Sequence, residues 1–252
     1  MNKLYIVIPA YNEEANIRNV IDEWYQIVDT CHAGGESRLL VLDDGSKDRT
    51  WEIMCECKKG RPLLLPVTKK NSGHGATLLY GYQYALEQGA DYIFQTDSDG
   101  QTRPEEFYDF WKKREQYDMI IGYRNKRQDG ISRIFVTKVL KLVIRVCFGV
   151  SVTDANTPFR LMKSSVLKRQ LTYIPANFNL PNVIISVIYA KKKLAVEYIP
   201  ITFRPRQGGV NSINLKKINK IGRQAVKDFR EINRTLNDMK YIDVTTLAEE
   251  KN

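Results

Sequence analysis

Short apolar runs alternate with helix-like segments through the first half of the chain. Residues 4–8 and 39–42 consist mostly of Leu, Ile and Val, and comparable runs follow at 63–67, 92–96 and 119–121. The segments between them have the apolar spacing of helices, at 13–30, 48–59, 75–88 and 104–116. Strands that alternate with helices connect by right-handed crossovers. The pattern therefore predicts an α/β fold, Rossmann-like, with a mostly parallel central sheet and flanking helices.

The sequence predicts a single domain. The chain has 252 residues, 43% of them hydrophobic, and no Gly/Ser-rich or Pro-rich linker interrupts it. We expect the domain to span residues 1–240, with a flexible tail at 241–252. The first residues lack the features of a signal peptide, and four scattered cysteines do not form a disulfide framework. The expectation is a cytoplasmic protein with reduced thiols.

The charge of the chain points to an anionic partner. The net charge is +10, and most of the positive excess falls within residues 124–234. A local excess of this kind suits phosphorylated substrates or an anionic membrane surface, whereas a basic tail would suit nucleic acid. We therefore expect no nucleic-acid partner.

Residues 131–150 form a long apolar segment that basic side chains interrupt. These are Arg133, Lys138, Lys141 and Arg145, which fall on one side of a helix. So many charges in about 20 residues do not suit a membrane-spanning helix. Two interpretations remain open: a helix that lies in a membrane interface, on the cytoplasmic face, or a core helix whose basic side chains extend into water.

Polar clusters follow several of the predicted strands, and Asp97-Ser98-Asp99 is the most informative of them. Two carboxylates converge where a strand turns sharply, and Gly100 permits that turn. Oxygen ligands of this kind, with the amide of Gln101, suit Mg²⁺ or Mn²⁺ rather than zinc. The alternative is an acidic turn, in which Asp99 or Thr102 caps the helix that begins near Pro104.

Two further clusters follow the second and third strands. Asp43 and Asp44 precede Gly45, and a turn does not need two adjacent carboxylates, so one of them is expected to accept hydrogen bonds from a nucleoside. Gly73 and Gly75 open a predicted helix, whose backbone N–H groups suit a phosphate. Close packing of that helix against the sheet explains the glycines almost as well.

Four segments together resemble the family 2 glycosyltransferases of the GT-A fold. They are residues 6–14 (IVIPAYNEE), residues 41–50 (VLDDGSKDRT), residues 71–75 (NSGHG) and residues 97–101 (DSDGQ). They occur in the order and at the spacing of that family. The subgroup that the chain most resembles is the polyprenyl-phosphate sugar synthases of the dolichol-phosphate mannose synthase type. Residues 154–160 (DANTPFR) and 203–212 (FRPRQGGVNS) carry the subgroup resemblance, with Pro158 in the place of a usual glycine.

The resemblance implies a role for each matching residue. The donor-binding half is about 1–122 and the acceptor-side half about 123–240. Pro9, Tyr11, Glu13, Asp43, Asp44 and Gly73 are implied to bind the donor nucleotide. Asp97, Asp99 and Gln101 are implied to bind the metal, Asp97 with the donor diphosphate as well. Arg124, Arg133 and Arg206 are implied to clamp phosphate, because the arginine fork pairs with two phosphate oxygens.

The resemblance also implies the reaction. An inverting transfer from a UDP- or GDP-hexose to a polyprenyl phosphate, either dolichyl or undecaprenyl, is the expected activity. A lipid phosphate is already ionised and needs no protein base. Transfer to a glycan hydroxyl is the alternative, and it requires a carboxylate base, for which Asp154 is the candidate. A catalytically idle scaffold subunit is the second alternative.

Overall fold

The computed structural model describes residues 2–31, 34, 36–124, 131–205, 224 and 226–237, with the backbone alone for 131–136. The predicted phosphate-binding residue Arg206 and the predicted tail at 241–252 lie outside the described residues.

Seven strands form one sheet in the order β3-β2-β1-β4-β6-β5-β7. The strands are β1 Leu4–Ala10, β2 Arg38–Asp43, β3 Leu64–Thr68, β4 Tyr92–Gln95, β5 Met119–Arg124, β6 Arg160–Lys163 and β7 Val196–Ile201. β1 pairs in parallel with β2 and β4, β2 with β3, and β5 with β7. The predicted mostly parallel α/β sheet is therefore confirmed.

Helices cover both faces of the sheet. They are α1 Ile17–Thr30, α2 Thr50–Lys58, α3 His74–Glu87, α4 Phe107–Lys113, α5 Ile131–Phe148, α6 Ser164–Leu171, α7 Pro181–Lys191 and α8 at 226–237. A 3₁₀ turn, Pro104–Glu106, precedes α4. None of the helices in the described part of the chain combines the length and apolarity needed to cross a lipid bilayer.

The core lies in two layers, one on each face of the sheet. Leu4 and Ile6 of β1 pack on the side of α1 and α4, whereas Tyr5 and Val7 pack on the side of α3 and α7. All seven residues of β1 are buried, as expected of a central strand covered by helices on both faces. This double burial is the reason that the strands appear in the sequence as uninterrupted apolar runs.

The sequence did not predict β6, which is antiparallel to both of its neighbours. β6 pairs with β4, where Gln95 lies opposite Arg160, and with β5 on its other side. Its four residues, RLMK, begin and end with a basic side chain, so the strand does not appear in the sequence as an apolar run. The strand therefore reverses direction between two parallel groups of strands.

The predicted start of the first helix was wrong. Residues 11–16 form turns, and α1 begins at Ile17 rather than at residue 13. The N–H groups of Asn12 and Glu13 donate to the hydroxyls of Ser46 and Thr50, at 2.9 and 2.8 Å. These bonds join the segment before α1 to Ser46 and to the first residue of α2.

Candidate active site

The loop after β4 turns sharply, as predicted. Gly100 has φ of 69°, in the left-handed region that glycine adopts readily. The N–H of Gln101 donates to Asp99 Oδ1 at 3.1 Å, and the hydroxyls of Thr96 and Thr102 lie 2.7 Å apart across the base of the loop. Neither Asp99 nor Thr102 caps the helix that follows, because the cap position is Arg103 and has no side-chain hydrogen bond. The capping interpretation of this cluster was therefore wrong.

Asp97 carries a buried oxygen atom without a partner in the described part of the chain. About a third of the side chain is exposed, at 32%, but Oδ1 itself is buried and accepts no hydrogen bond. The Nε2 atom of His74, at the start of α3, lies 3.9 Å away and is beyond hydrogen-bond distance. An unsatisfied buried carboxylate oxygen is costly, so its presence calls for a ligand.

The electrostatic environment of Asp97 also favours a bound cation. Burial raises the pKa of this carboxyl above its usual range, and the neighbouring Asp99 carboxylate raises it further. His74, Arg160 and Arg124 act in the opposite direction. Two adjacent carboxylates that are partly desolvated repel each other, and a divalent cation between them relieves that repulsion.

The side chains present fit Mg²⁺ or Mn²⁺ in a site where the protein provides some of the ligands and the substrate would provide the others. Asp97, Asp99 and Gln101 offer oxygen ligands, and the amide nitrogen of Gln101 donates to the carbonyl of Arg204 at 3.3 Å. That bond leaves the side-chain oxygen as the atom of this amide suited to a cation. No group of three or more His, Cys, Asp or Glu side chains surrounds a possible metal position among the described residues. Mg²⁺ is commonly bound by one or two carboxylates together with substrate phosphates, which is the arrangement this set can provide.

Asp44 is bound tightly by the loop that follows β3. Its carboxylate accepts from the Lys69 ammonium and from the N–H groups of Ser72 and Gly73, the latter two each at 2.9 Å. Burial pushes the pKa of Asp44 upward, but the hydrogen bonds from Lys69, Ser72 and Thr77 outweigh it and lower the pKa below its usual value. Asp44 is therefore an ionised, fixed acceptor at the carboxyl end of β2.

Backbone conformation and close packing account for the glycines in this loop and in α3. Gly73 has φ of 88°, and its N–H is engaged by Asp44 rather than directed at an open phosphate site. A Cβ at Gly75 would lie 2.3 Å from the carbonyl oxygen of Phe178, and one at Gly81 would lie 2.5 Å from Leu42 Cδ1. Close packing therefore explains Gly75 and Gly81, while a binding role for Gly73 remains a prediction.

The other predicted donor residues lie at the carboxyl ends of β1 and β2. Pro9 is buried within β1, and Tyr11 follows it with 43% of its surface exposed. Asp44 donates its N–H to the carbonyl of Ala10 at 2.9 Å, so the two loops are held side by side. Asp43 accepts from the Ser46 N–H at 3.1 Å and from the Thr68 hydroxyl at 2.6 Å. These bonds stabilise the turn after β2 and join it to the end of β3.

Glu13 also contacts its own loop. It accepts from the Asn16 amide at 2.7 Å. The structure thus brings Tyr11, Glu13 and Asp44 to the same edge of the sheet as Asp97.

The predicted phosphate-binding arginines are only partly described. Arg124 ends β5, and its guanidinium lies 3.7 Å from the centre of the Phe203 ring. Arg133 belongs to α5, without a described side chain. Asp154 lies in the loop before β6, where it accepts from the Asn156 N–H at 3.3 Å. Of these three residues, Arg124 is one whose charge acts on the Asp97 carboxyl, where it lowers the pKa.

Sequence reasoning missed Arg160, which is fully buried at the start of β6. Its guanidinium donates to the carbonyls of Ala155 at 3.2 Å, Thr157 at 2.8 Å and Asn182 at 3.0 Å. Its position at the end of the DANTPFR segment was the available signal. Arg160 holds the loop that carries Asp154, and it lies beside Gln95, two residues before Asp97.

Comparison with known proteins identifies the family of the chain. The sequence model described as "Glycosyl transferase family 2" matches residues 5–171. The undecaprenyl-phosphate 4-deoxy-4-formamido-L-arabinose transferase of Edwardsiella ictaluri is 26% identical over 222 residues, which are 84% of this chain and 63% of that protein. The transferase of the same name from Pectobacterium carotovorum subsp. carotovorum is 27% identical over 223 residues, with the same two coverages. The chain thus spans a little under two thirds of the length of these curated relatives.

Solved structures share the fold. Glucosyl-3-phosphoglycerate synthase from Mycobacterium tuberculosis, crystallised with Mn²⁺, UDP-glucose and phosphoglyceric acid, superposes with a TM-score of 0.65 at 18% identity. The match covers 92% of this chain and 80% of that one. S. aureus TarS 1-349 gives a TM-score of 0.55 at 18% identity, over 79% of this chain and 60% of that one. At these identities the likeness concerns the fold.

Proposed function

The chain belongs to glycosyl transferase family 2 and has the GT-A fold, and from that premise we propose that it is an inverting, metal-dependent glycosyltransferase. Its donor is a nucleotide hexose and its acceptor is a polyprenyl phosphate. The observation that carries this proposal is the buried, unpartnered Oδ1 of Asp97, next to Asp99 and Gln101, at the carboxyl end of β4. Ligands of open α/β sheets bind at that edge.

The donor side of the proposal rests on the loops that meet there. Tyr11 and Asp44 are held next to each other, and Asp44 is a fixed carboxylate. We assign the nucleoside to this pair and the diphosphate to the side of Asp97 and Asp99. Asp97, Asp99 and Gln101 would hold Mg²⁺ or Mn²⁺, which when bound neutralises negative charge on the diphosphate. UDP is the first nucleotide to test, because structural neighbours were crystallised with UDP or UDP-glucose.

The acceptor side rests on the relatives and on the charge of the second half. The curated relatives are named as undecaprenyl-phosphate transferases. An oxygen of the acceptor phosphate would attack the anomeric carbon, and the bond from that carbon to the donor diphosphate would break with its electron pair on the diphosphate oxygen. The attacking phosphate is already ionised, so no protein base removes a proton. Arg124, with Arg133 and Arg206, would bind the phosphate of the acceptor.

A nucleotide-binding experiment tests the donor and metal assignments. We expect UDP with Mn²⁺ to raise the unfolding temperature of the protein and EDTA to abolish the shift. Asp97→Asn and Asp99→Asn should lose the shift and reduce kcat/KM by at least about 100-fold, the typical cost of removing transition-state charge stabilisation. Asp109→Asn is the matched control, because this carboxylate lies on the surface of α4 and pairs only with Lys112 in the described part of the chain. A metal-independent shift, or full activity in Asp99→Asn, would contradict the assignment.

A transfer assay separates the possible acceptors. Purified protein with a labelled UDP- or GDP-hexose and Mn²⁺ should glycosylate a short polyprenyl phosphate and leave the matching polyprenyl alcohol unmodified. Transfer only to saccharides, with loss of that activity in Asp154→Asn, would identify a glycan hydroxyl as the acceptor. A peripheral location on the cytoplasmic face of a membrane goes with the lipid acceptor.

A further inference from the structure

Helix α5 exposes two parallel rows of side chains of opposite character. Lys138, Lys141 and Arg145 form the basic row, and Val139, Leu142 and Val146 form the apolar row. Both rows have spacings of three and four residues, and the second is displaced from the first by one residue. All six side chains are exposed, and the fraction reaches 62% at Leu142 and 74% at Val146.

The orientation of these rows is fixed by the opposite side of the helix. Ile144 and Phe148 are buried in the core layer on the side of α7, and the ring of Phe148 packs against Phe229 of α8 with centroids 5.5 Å apart. The helix therefore already has a protein-facing side. The exposed apolar row is a second, separate apolar surface, and three of the five large apolar side chains exposed in the described residues belong to it.

We propose that this exposed face of α5, defined by the six residues above, binds the surface of an anionic lipid bilayer. The apolar row would enter the boundary between head groups and acyl chains, and the basic row beside it would contact lipid phosphates. Charge complementarity selects the bilayer as the occupant, because α5 contains no acidic residue and its three described basic side chains form the row next to the apolar row. The proposal concerns the attachment of the protein to a membrane. It therefore goes beyond the transfer reaction and does not depend on the identity of the acceptor.

The position of α5 along the chain relates this face to the acceptor side. α5 follows β5, which ends at Arg124, with residues 125–130 between the two. The face therefore belongs to the acceptor-side half of the chain, to which the phosphate-binding arginines are assigned.

Vesicle sedimentation tests the proposal with two variants. The apolar variant Val139→Ser/Leu142→Ser/Val146→Ser and the basic variant Lys138→Gln/Lys141→Gln/Arg145→Gln change only exposed side chains. A moderately anionic surface is provided by phosphatidylcholine vesicles that contain about 30% phosphatidylglycerol. These vesicles should bind the full chain, and vesicles of pure phosphatidylcholine should bind it weakly. The basic variant should bind at least about 20-fold more weakly, since each basic residue near such a surface contributes about fivefold. The apolar variant should also bind about tenfold more weakly.

Matched controls lie on other surfaces. Tyr80→Ser removes an exposed apolar side chain from α3, and Lys59→Gln/Lys112→Gln/Lys168→Gln removes three exposed positive charges elsewhere. Both controls should keep at least half of the binding. Equal losses in the controls, or no binding by the unmodified chain, would overturn the proposal. A lower unfolding temperature in the apolar variant, or a dimer that this variant dissociates, would show instead that protein covers the face.

Discussion

Replacement of Arg160 by lysine should destabilise the protein strongly although it conserves charge. Arg160 is fully buried, and no carboxylate accepts from its guanidinium among the hydrogen bonds of the described chain. Its acceptors lie on two separate segments: the backbone carbonyls of Ala155 and Thr157 before β6, and in α7 the carbonyl of Asn182 and, at 3.4 Å, the hydroxyl of Ser186. Only the planar fork of arginine can donate to both segments at once.

The magnitude follows from the carbonyls that a lysine would leave without a partner. A compact ammonium at this position can serve one segment, so that one or two buried carbonyls lose their donor. Each unsatisfied group costs about 1–3 kcal/mol. The charge stays buried, so the desolvation cost is similar in both proteins and largely cancels. We therefore expect a loss of about 2–4 kcal/mol in the free energy of unfolding, or roughly 5–15 °C in melting temperature for a domain of this size.

Urea denaturation followed by circular dichroism measures this loss directly. Arg18→Lys is the control, because Arg18 pairs with Glu56 on the surface, where both side chains are about half exposed. The control should keep the midpoint of the unmodified protein. At a temperature where Arg160→Lys is still folded, the KM for the acceptor should rise more than the KM for the donor, because the loop that Arg160 holds belongs to the acceptor-side half of the chain.

Two results would refute this reasoning. A midpoint for Arg160→Lys equal to that of the control would show that the buried fork does not hold the loop. Equal changes in both KM values would show that the loop serves general stability and has no particular connection with the acceptor side.

The remaining predictions concern three contacts in the site. Gly75→Ala should lose about 1–3 kcal/mol of unfolding free energy, because the new methyl group meets the backbone oxygen of Phe178 at 2.3 Å; a denaturation midpoint checks this. Phe203→Leu should lower kcat/KM for the acceptor about three- to thirtyfold by removing the ring that Arg124 stacks on, and Phe203→Tyr should restore it. Asp44→Asn should be less stable than the unmodified protein at neutral pH. Since the folded pKa of this carboxyl is lowered, that difference should be complete above about pH 4 and shrink as pH falls through the folded value, which a pH series of unfolding free energies measures.

Five of the six strands that pair in parallel could be predicted, because each is an apolar run; β7, which pairs in parallel with β5, was not predicted. The predicted strands at 4–8, 39–42 and 92–96 match β1, β2 and β4 within two residues at either end. Their burial on both faces makes them uninterrupted apolar runs. The start of α1 was not predicted, because residues 14–16 form a turn before the helix although the sequence pattern continues through them.

That the loops of Asp44 and Asp97 lie at one edge of the sheet was predictable for a related reason. Asp44 and Asp97 each follow a parallel strand, and parallel strands in one sheet end at one edge, so topology alone places their loops together. The partners of Asp44 were not predictable. Gly73 was assigned to phosphate from its sequence context, whereas its N–H binds the Asp44 carboxylate in the folded chain.

On the acceptor side, the residues expected at the binding edge precede their strand instead of following it, because β6 is antiparallel. Residues that follow a parallel strand reach the binding edge of the sheet, but for an antiparallel strand the residues that precede it do so. The pairing of Gln95 with Arg160 shows this directly, since the start of β6 lies beside the end of β4. The loop with Asp154 therefore reaches the neighbourhood of Asp97 from upstream of its strand, and a search for clusters after predicted strands overlooks it. Recognising β6 as antiparallel is what leads us to predict that the DANTPF segment belongs to the same site.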